Sequence, residues 1–140
     1  MRTHRVLRGR LEDNESRRLI VDDGNFKDGW RVVNFTVASN AVSSNEVNAK
    51  LALKEVPATG WDWENSMEIA WASSRGTSEA NWGGFPNAID PNNVVVMDLW
   101  IYGASSAGGD INYMIEIERV VLDDNQSVLA LIQERAQDDL

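Results

Sequence analysis

The sequence predicts an all-β protein: an antiparallel β-sandwich or jelly-roll-like domain that ends in one C-terminal amphipathic α-helix. Three observations predict this fold class. Most segments alternate apolar and polar residues with a period of two, which is typical of strands that bury one face. Polar turns separate these segments without a strand–helix–strand rhythm, which favours a sandwich or a small barrel. A helical period appears only near the end of the chain.

Alternating apolar residues mark the predicted strands. In the segment from Trp30 to Ala38, Trp30 and Val32 fall on the opposite phase from Val33, which predicts a β-bulge near Val32 or burial of both faces. Lys50 and Glu68 fall on the polar phase, and we expect both to face solvent. The residues expected to face the core are Leu7, Gly9 and Leu11; Leu19 and Val21; Val33, Phe35 and Val37; Val47, Ala49, Leu51 and Leu53; Met67, Ile69 and Trp71; Val95, Met97, Leu99 and Ile101; and Ile111, Tyr113, Ile115 and Ile117.

The last part of the chain predicts one helix, from about residue 125 to 137, within a C-terminal segment 123–137. Asp138 and Asp139 follow it at the end where the helix dipole disfavours acidic side chains. We therefore expect these two residues to fray into solvent or to bind a basic partner. The apolar residues at helical spacing are Val128, Leu129, Leu131, Ile132 and Ala136.

Charge is distributed unevenly along the chain. Residues 1–18 carry six arginines against three acids, a net +3, while the remaining residues carry seven basic and nineteen acidic side chains, a net −12. The overall charge of −9 makes nucleic acid an unlikely partner, because phosphate binding needs clustered basic residues. A basic N-terminal segment on an acidic body suits head-to-tail contact between copies. The alternative is an ordinary edge strand whose solvated arginines block aggregation. The arginines that are candidates for an interface are Arg8, Arg10, Arg17 and Arg18.

The residues that enzymes use for catalysis are scarce. His4 is the only histidine and cysteine is absent, which excludes a Ser-His-Asp site and thiolate chemistry. Asp62 and Glu64 are the best remaining candidates for acid–base work, but acids of this kind are usually just solvated. We therefore expect no enzyme activity, no catalytic residues, no metal site and no cofactor.

The sequence also suggests where the protein is assembled. Its first residues are charged and no apolar segment follows them, so we expect no secretory signal. Every apolar run, including Val94 to Met97, is too short to cross a bilayer, and we expect no membrane partner. The absence of cysteine fits assembly in a reducing cytoplasm. The length is typical of one domain and no linker is apparent, so residues 1–140 are expected to form a single domain.

Tryptophan is abundant, with six residues in 140. Three of them lie in sequence typical of loops, and Phe85 lies close to one of these. Exposed tryptophans make protein interfaces or stack on sugar rings, whereas buried ones would cap the core. The aromatic candidates for an interaction surface are Trp61, Trp63, Trp82 and Phe85.

Several stretches carry a family resemblance. They are Arg8-Gly9-Arg10-Leu11, Arg17-Arg18-Leu19-Ile20, Asp23-Gly24, Gly29-Trp30-Arg31-Val32-Val33, Trp61-Asp62-Trp63, Glu68-Ile69-Ala70-Trp71-Ala72, Ile89-Asp90-Pro91, Asp98-Leu99, Ile111-Asn112-Tyr113-Met114-Ile115 and the ending from Ala130 to Asp138. This set resembles small uncharacterised proteins encoded among the virion genes of marine viruses, mainly bacteriophages. The resemblance implies a particle component but carries no functional residue.

Two functions follow as expectations. The first is a structural virion protein, a capsid subunit or a capsid-decorating protein, which is assembled in the host cytoplasm and resides in the virion. Its partners would be further copies of itself and other virion proteins. The alternative is a carbohydrate-binding β-sandwich module that uses loop tryptophans, and host surface glycans would then be its ligands.

Overall fold

The structure is a computed structural model that describes residues 3–21, 28–40, 45–55, 60–76, 87–106 and 108–122. All regular elements in these ranges are β-strands, as the predicted all-β class requires. The predicted helix over 125–137 lies outside the described residues, as do Trp82, Phe85, Asp138 and Asp139. The eight strands are β1 (His4–Leu11), β2 (Ser16–Ile20), β3 (Asp28–Ser39), β4 (Asn45–Ala52), β5 (Glu68–Gly76), β6 (Ala88–Ile89), β7 (Asp98–Ser105) and β8 (Ile111–Val121).

The strands form two antiparallel sheets. One sheet has three strands in the order β1-β8-β3, and the other has five in the order β2-β7-β4-β5-β6. Most neighbours within a sheet are distant in sequence, so the chain passes repeatedly from one sheet to the other. β1 and β2 each form an edge of their sheet. The short turn that joins them begins with a hydrogen bond from the N–H of Glu15 to the C=O of Glu12 at 3.1 Å.

The two sheets share one hydrophobic core, which makes the fold sandwich-like. Phe35 and Ile115 of the three-stranded sheet are fully buried, and so are Leu51 and Ile101 of the five-stranded sheet. Phe35 and Ile115 alternate along their strands with more exposed residues, as the period of two predicts, whereas the neighbours of Leu51 are buried as well. Burial of this common core is the main force that holds the sheets together.

Of the two alternatives predicted for β3, a bulge near Val32 or burial of both faces, the bulge is present. The register between β3 and β8 shifts between Val32 and Asn34. The extra residue reverses the phase of the strand, so Trp30 and Val32 are buried while Val33 is 39% exposed. The expectation that Val33 faces the core was wrong because it extended the phase of Phe35 through the bulge.

The free edge of β3 is covered by the segment that follows β6. Trp30 and Val95 exchange backbone hydrogen bonds of 2.8 and 2.7 Å. Asn93 continues this pairing with its side chain: its Oδ1 accepts the N–H of Val32 at 2.9 Å and its Nδ2 donates to the C=O of Val32 at 3.2 Å. A side-chain amide thus takes the place of a strand residue and satisfies the polar groups of an edge.

A close contact between Gly9 and Tyr113 shapes the edge formed by β1. The two residues are opposite each other in the register of β1 and β8. A Cβ atom at Gly9 would lie 2.7 Å from the hydroxyl oxygen of Tyr113, which is closer than any real side chain allows. Gly9 therefore leaves the space into which the buried Tyr113 side chain reaches.

Candidate functional site

The described candidate residues fall in two separate places. Arg8 and Arg10 lie on β1, and Arg17 and Arg18 lie on β2, so all four belong to edge strands. Trp61 and Trp63 lie in residues 60–67, the segment that leads into β5 and that we call the tryptophan loop. β5 is separated from β2 by β7 and β4, and β1 is an edge of the other sheet, so the tryptophan loop and the arginines lie on different strands that are not paired.

An ion pair is buried where the tryptophan loop meets the five-stranded sheet. The Nζ of Lys50 on β4 lies 3.2 Å from Oε2 of Glu68 on β5, and the two side chains are only 3% and 2% exposed. Lys50 also donates to the C=O of Gly60 at 2.9 Å and lies 5.8 Å from the centre of the Tyr102 ring. The expectation that Lys50 and Glu68 face solvent was wrong because the tryptophan loop covers them.

Glu68 connects the sheet to the tryptophan loop. Its Oε1 accepts the backbone N–H of Asp62 at 3.0 Å and the indole N–H of Trp71 at 3.0 Å. Its other oxygen accepts the hydrogen bond from Lys50. Both carboxylate oxygens of Glu68 are therefore paired, which a buried charge requires.

The same contacts decide the position of Trp71. It was expected to face the core, but it is paired in register with Lys50, while its neighbours Ala70 and Ala72 pack in the core. Trp71 therefore lies on the outer face of the sheet, where it is 8% exposed. The expectation failed because residues on both faces of this strand are apolar. The small residues Ala70 and Ala72 face the core, and Trp71 faces the other way.

Trp63 is the most exposed large apolar residue in the described part of the chain, at 69%. Its ring centre lies 5.9 Å from that of Trp71, with the planes tilted by 59°. It thus covers Trp71 and leaves most of its own surface to solvent. Trp61 is half-buried, and its indole N–H has no hydrogen-bond partner among the described residues.

Local hydrogen bonds fix the backbone around Trp63. Oδ1 of Asp62 accepts the N–H of Glu64 at 3.1 Å, and Oδ1 of Asn65 accepts the N–H of Met67 at 3.0 Å. These are Asx turns, in which a side chain replaces a backbone acceptor. The side chains of Asp62 and Glu64 remain exposed on either side of Trp63.

The four arginines differ in what they bind. Arg17 forms a 2.9 Å ion pair with Glu15, so its role is within the fold. Burial opposes its charge, but hydrogen bonds to Tyr113 and Glu15 outweigh this effect and raise the pKa of Arg17. Arg18 lies at 4.0 Å from Asp98, which is at the limit of an ion pair.

Arg8 and Arg10, which we call the arginine edge, point towards solvent from β1. Arg8 is exposed and has no ion pair with any described residue, and Arg10 is 3.9 Å from Asp110. Both line an open depression. Its other lining residues are Gly9, Asn112, Tyr113 and Met114. The arginine edge therefore offers positive charge that the described residues leave almost unpaired.

The described ranges hold neither a group of three or more His, Cys, Asp or Glu residues that could bind a metal ion nor a helix long and apolar enough to span a membrane. Compared with protein-family models, curated proteins and solved structures, the chain shows no match to any of them. The resemblance to virion proteins of marine bacteriophages therefore stays an expectation.

Proposed function

We propose that this protein is a structural virion protein, a capsid subunit or capsid-decorating protein of a marine bacteriophage, that acts by self-assembly and by contacts with other virion proteins. The observation that carries the proposal is the order of the strands in the two sheets. The resemblance in the sequence supports the same function.

The strand order supports a jelly roll. A jelly roll of eight strands is a long antiparallel hairpin that is folded over on itself. The hairpin pairs β1 with β8, β2 with β7 and β4 with β5. Folding it over then places β8 beside β3 and β7 beside β4. All five of these pairings are present. The remaining jelly-roll pair, β3 with β6, is replaced by contacts from the residues that flank β6, including a 2.6 Å hydrogen bond from Nδ2 of Asn87 to the C=O of Phe35. Jelly rolls are common in viral capsid proteins and in lectins.

The surface features favour assembly over turnover. Both strands at one side of the fold, β1 and β2, are edge strands that carry arginines. Residues 1–18, which include both strands with these arginines except for the end of β2, carry a net charge of +3, and residues 19–140 carry −12. Such asymmetry steers copies of one protein towards each other.

The test is the oligomeric state of the full chain. We expect size-exclusion chromatography with light scattering to give a discrete oligomer, and we expect the protein to be present in many copies on purified particles. A protein that stays monomeric at every concentration and never copurifies with particles would contradict the proposal.

The second candidate function is carbohydrate binding, and the exposure of Trp63 favours it. An indole that is 69% exposed and held against a second indole is a suitable surface for stacking on a sugar ring. A glycan array followed by tryptophan fluorescence titration of each hit tests this function. Trp63→Ala should abolish binding, whereas Ile20→Ala, at a residue 61% exposed on β2, should not change it. A broad array without hits would argue against this candidate.

A further inference from the structure

We propose that the tryptophan loop of one copy is the docking surface for the arginine edge of a second copy. The proposal rests on the proposed self-assembly and names the two surfaces that make the contact. It is carried by three features: a preorganised exposed indole, exposed charges of opposite sign, and the distance between the two surfaces within one copy.

The first feature is the rigid presentation of Trp63. The backbone N–H of its neighbour Asp62 donates a hydrogen bond to the carboxylate of Glu68. Lys50 and Trp71 donate hydrogen bonds to the same carboxylate. Binding a partner therefore costs little conformational entropy in the tryptophan loop. Tryptophan on a rigid support is typical of the residues that dominate the binding energy of an interface.

The second feature is complementary charge. The exposed carboxylates of Asp62 and Glu64 flank Trp63, and neither forms an ion pair with a described residue. Arg8 and Arg10 are the matching cations on β1. A guanidinium group can stack on an indole while it binds a carboxylate, because it is planar and carries several N–H donors. Arg5 already lies 5.0 Å above the ring centre of Trp30 within this chain.

The third feature is the separation of the two surfaces. The arginine edge lies in the three-stranded sheet, whereas the tryptophan loop leads into β5 of the five-stranded sheet. Even from the β2 edge, β5 is three strand spacings away, which is about 14 Å. The two surfaces therefore meet between copies, in a heterologous contact that repeats to form a ring or an extended array. Pairing of two β1 edges is disfavoured because it would bring like charges together.

The experiment exchanges the charges of the two surfaces. One variant carries Arg8→Glu and Arg10→Glu, and the other carries Asp62→Asn and Glu64→Arg, in which asparagine keeps the Oδ1 acceptor of the Asx turn. All four side chains are exposed, so both variants should keep the thermal unfolding temperature of the original chain within a few degrees. Each variant alone should self-associate about tenfold or more weakly in sedimentation velocity. An equimolar mixture should associate again, because every contact between the two variants pairs opposite charges.

Two further variants complete the test. Trp63→Ala should weaken association by about tenfold or more. Glu12→Gln with Glu55→Arg is the matched control, since it makes the same change in net charge as the variant of the tryptophan loop at other exposed acids and should leave association unchanged.

The outcomes separate this inference from the proposed function. If the original chain is monomeric at every concentration, self-assembly itself fails. If it forms oligomers that neither charge exchange weakens, self-assembly stands and the inferred contact is wrong. If Trp63→Ala alone disrupts the oligomer, the tryptophan loop binds an apolar surface, and the arginine edge is not its partner.

Discussion

Lys50 and Glu68 are the residues whose position depends most on the rest of the fold. Lysine and glutamate are seldom fully buried unless they are paired. Here each is paired with the other, and the remaining polar atoms are satisfied by Gly60, Asp62 and Trp71. The alternation along β4 correctly places Val47, Ala49 and Leu51 in the core, but it cannot show that a distant loop covers the opposite face. The alternation of apolar and polar residues along a strand indicates only which face packs in the core. Whether the other face is also buried depends on contacts with other segments of the chain.

Removing one partner of this ion pair should be costly. We expect Glu68→Gln to lower the free energy of unfolding by about 3–5 kcal/mol in urea denaturation, because it leaves the Lys50 ammonium buried without a counter-charge. The double variant Lys50→Met with Glu68→Gln removes both charges and keeps an acceptor for Asp62 and Trp71. It should be more stable than Glu68→Gln alone. The single variant Lys50→Met completes the comparison. If the double variant loses as much free energy of unfolding as the two single variants lose together, the charges do not interact.

Tyr102 should make stability depend on alkaline pH. Burial, and after it the charge of Asp13, raise the pKa of Tyr102, whose hydroxyl donates to Oδ1 of Asn14 at 2.8 Å. The folded protein therefore holds this proton to a higher pH than the unfolded chain does. The stability that results is complete below the ordinary pKa of tyrosine, about 10, and is lost as the pH rises above it.

The measurement is the free energy of unfolding between about pH 8 and pH 11 for the original chain and for Tyr102→Phe. Other groups titrate in this range, so the comparison between the two proteins isolates Tyr102. We expect Tyr102→Phe to be the less stable at the lower pH and the difference to shrink as the pH rises. Two parallel curves would show that Tyr102 has an ordinary pKa.

At the scale of elements, β3 shows how much of a strand can be predicted. The conflict between the phases of Trp30 and Val33 is visible in the sequence, and it predicted a bulge or burial of both faces, of which the structure has the bulge. The sequence does not reveal that Asn93, sixty-one residues away from Val32, completes this edge of the sheet. An asparagine in a turn-like stretch is most simply explained by the turn itself. Asn93 lies beside β3 only because Val95, two residues later, pairs with Trp30.

The covered edge of β3 predicts an asymmetry between two adjacent asparagines. Asn93→Ala should lower the free energy of unfolding by about 2–4 kcal/mol, because it leaves the N–H and C=O of Val32 buried without partners. Asn92→Ala is the matched control. Its side chain is exposed, and a change within about 0.5 kcal/mol is expected in the same denaturation experiment. Equal effects at both positions would mean that solvent replaces the bonds of Asn93.

At the scale of the whole molecule, the two sheets and their shared core follow from the pattern of the sequence, but the strand order does not. Alternation reports which residues are buried and is silent about which strands are neighbours, because pairing is decided between segments far apart in the chain. β1 and β8 are an example, since they stand at the two ends of the described residues and yet pair along their whole common length. The separation of the basic edge from the acidic tryptophan loop likewise became visible only with the strand order.

Self-association through charge should depend on salt. The dissociation constant of the oligomer should rise as the ionic strength increases from about 0.05 to about 0.5 M, since screening shortens the range of the attraction. Light scattering at a fixed protein concentration gives the measurement, and the Arg8→Glu, Arg10→Glu variant should show a much flatter dependence. Association that strengthens with salt would indicate an apolar contact instead.

The tilted contact between Trp63 and Trp71 also gives the protein an optical signal of its own. Two indoles whose centres are 5.9 Å apart and whose planes are tilted by 59° are close enough for their electronic transitions to couple. Such coupling produces a paired positive and negative band in the circular dichroism spectrum, which vanishes when the rings move apart. Because Trp63 belongs to the tryptophan loop and Trp71 to the sheet, this exciton couplet reports the contact between the loop and the sheet without any label. Binding of a partner, or loss of the ion pair beneath the loop, can thus be followed in the unmodified protein.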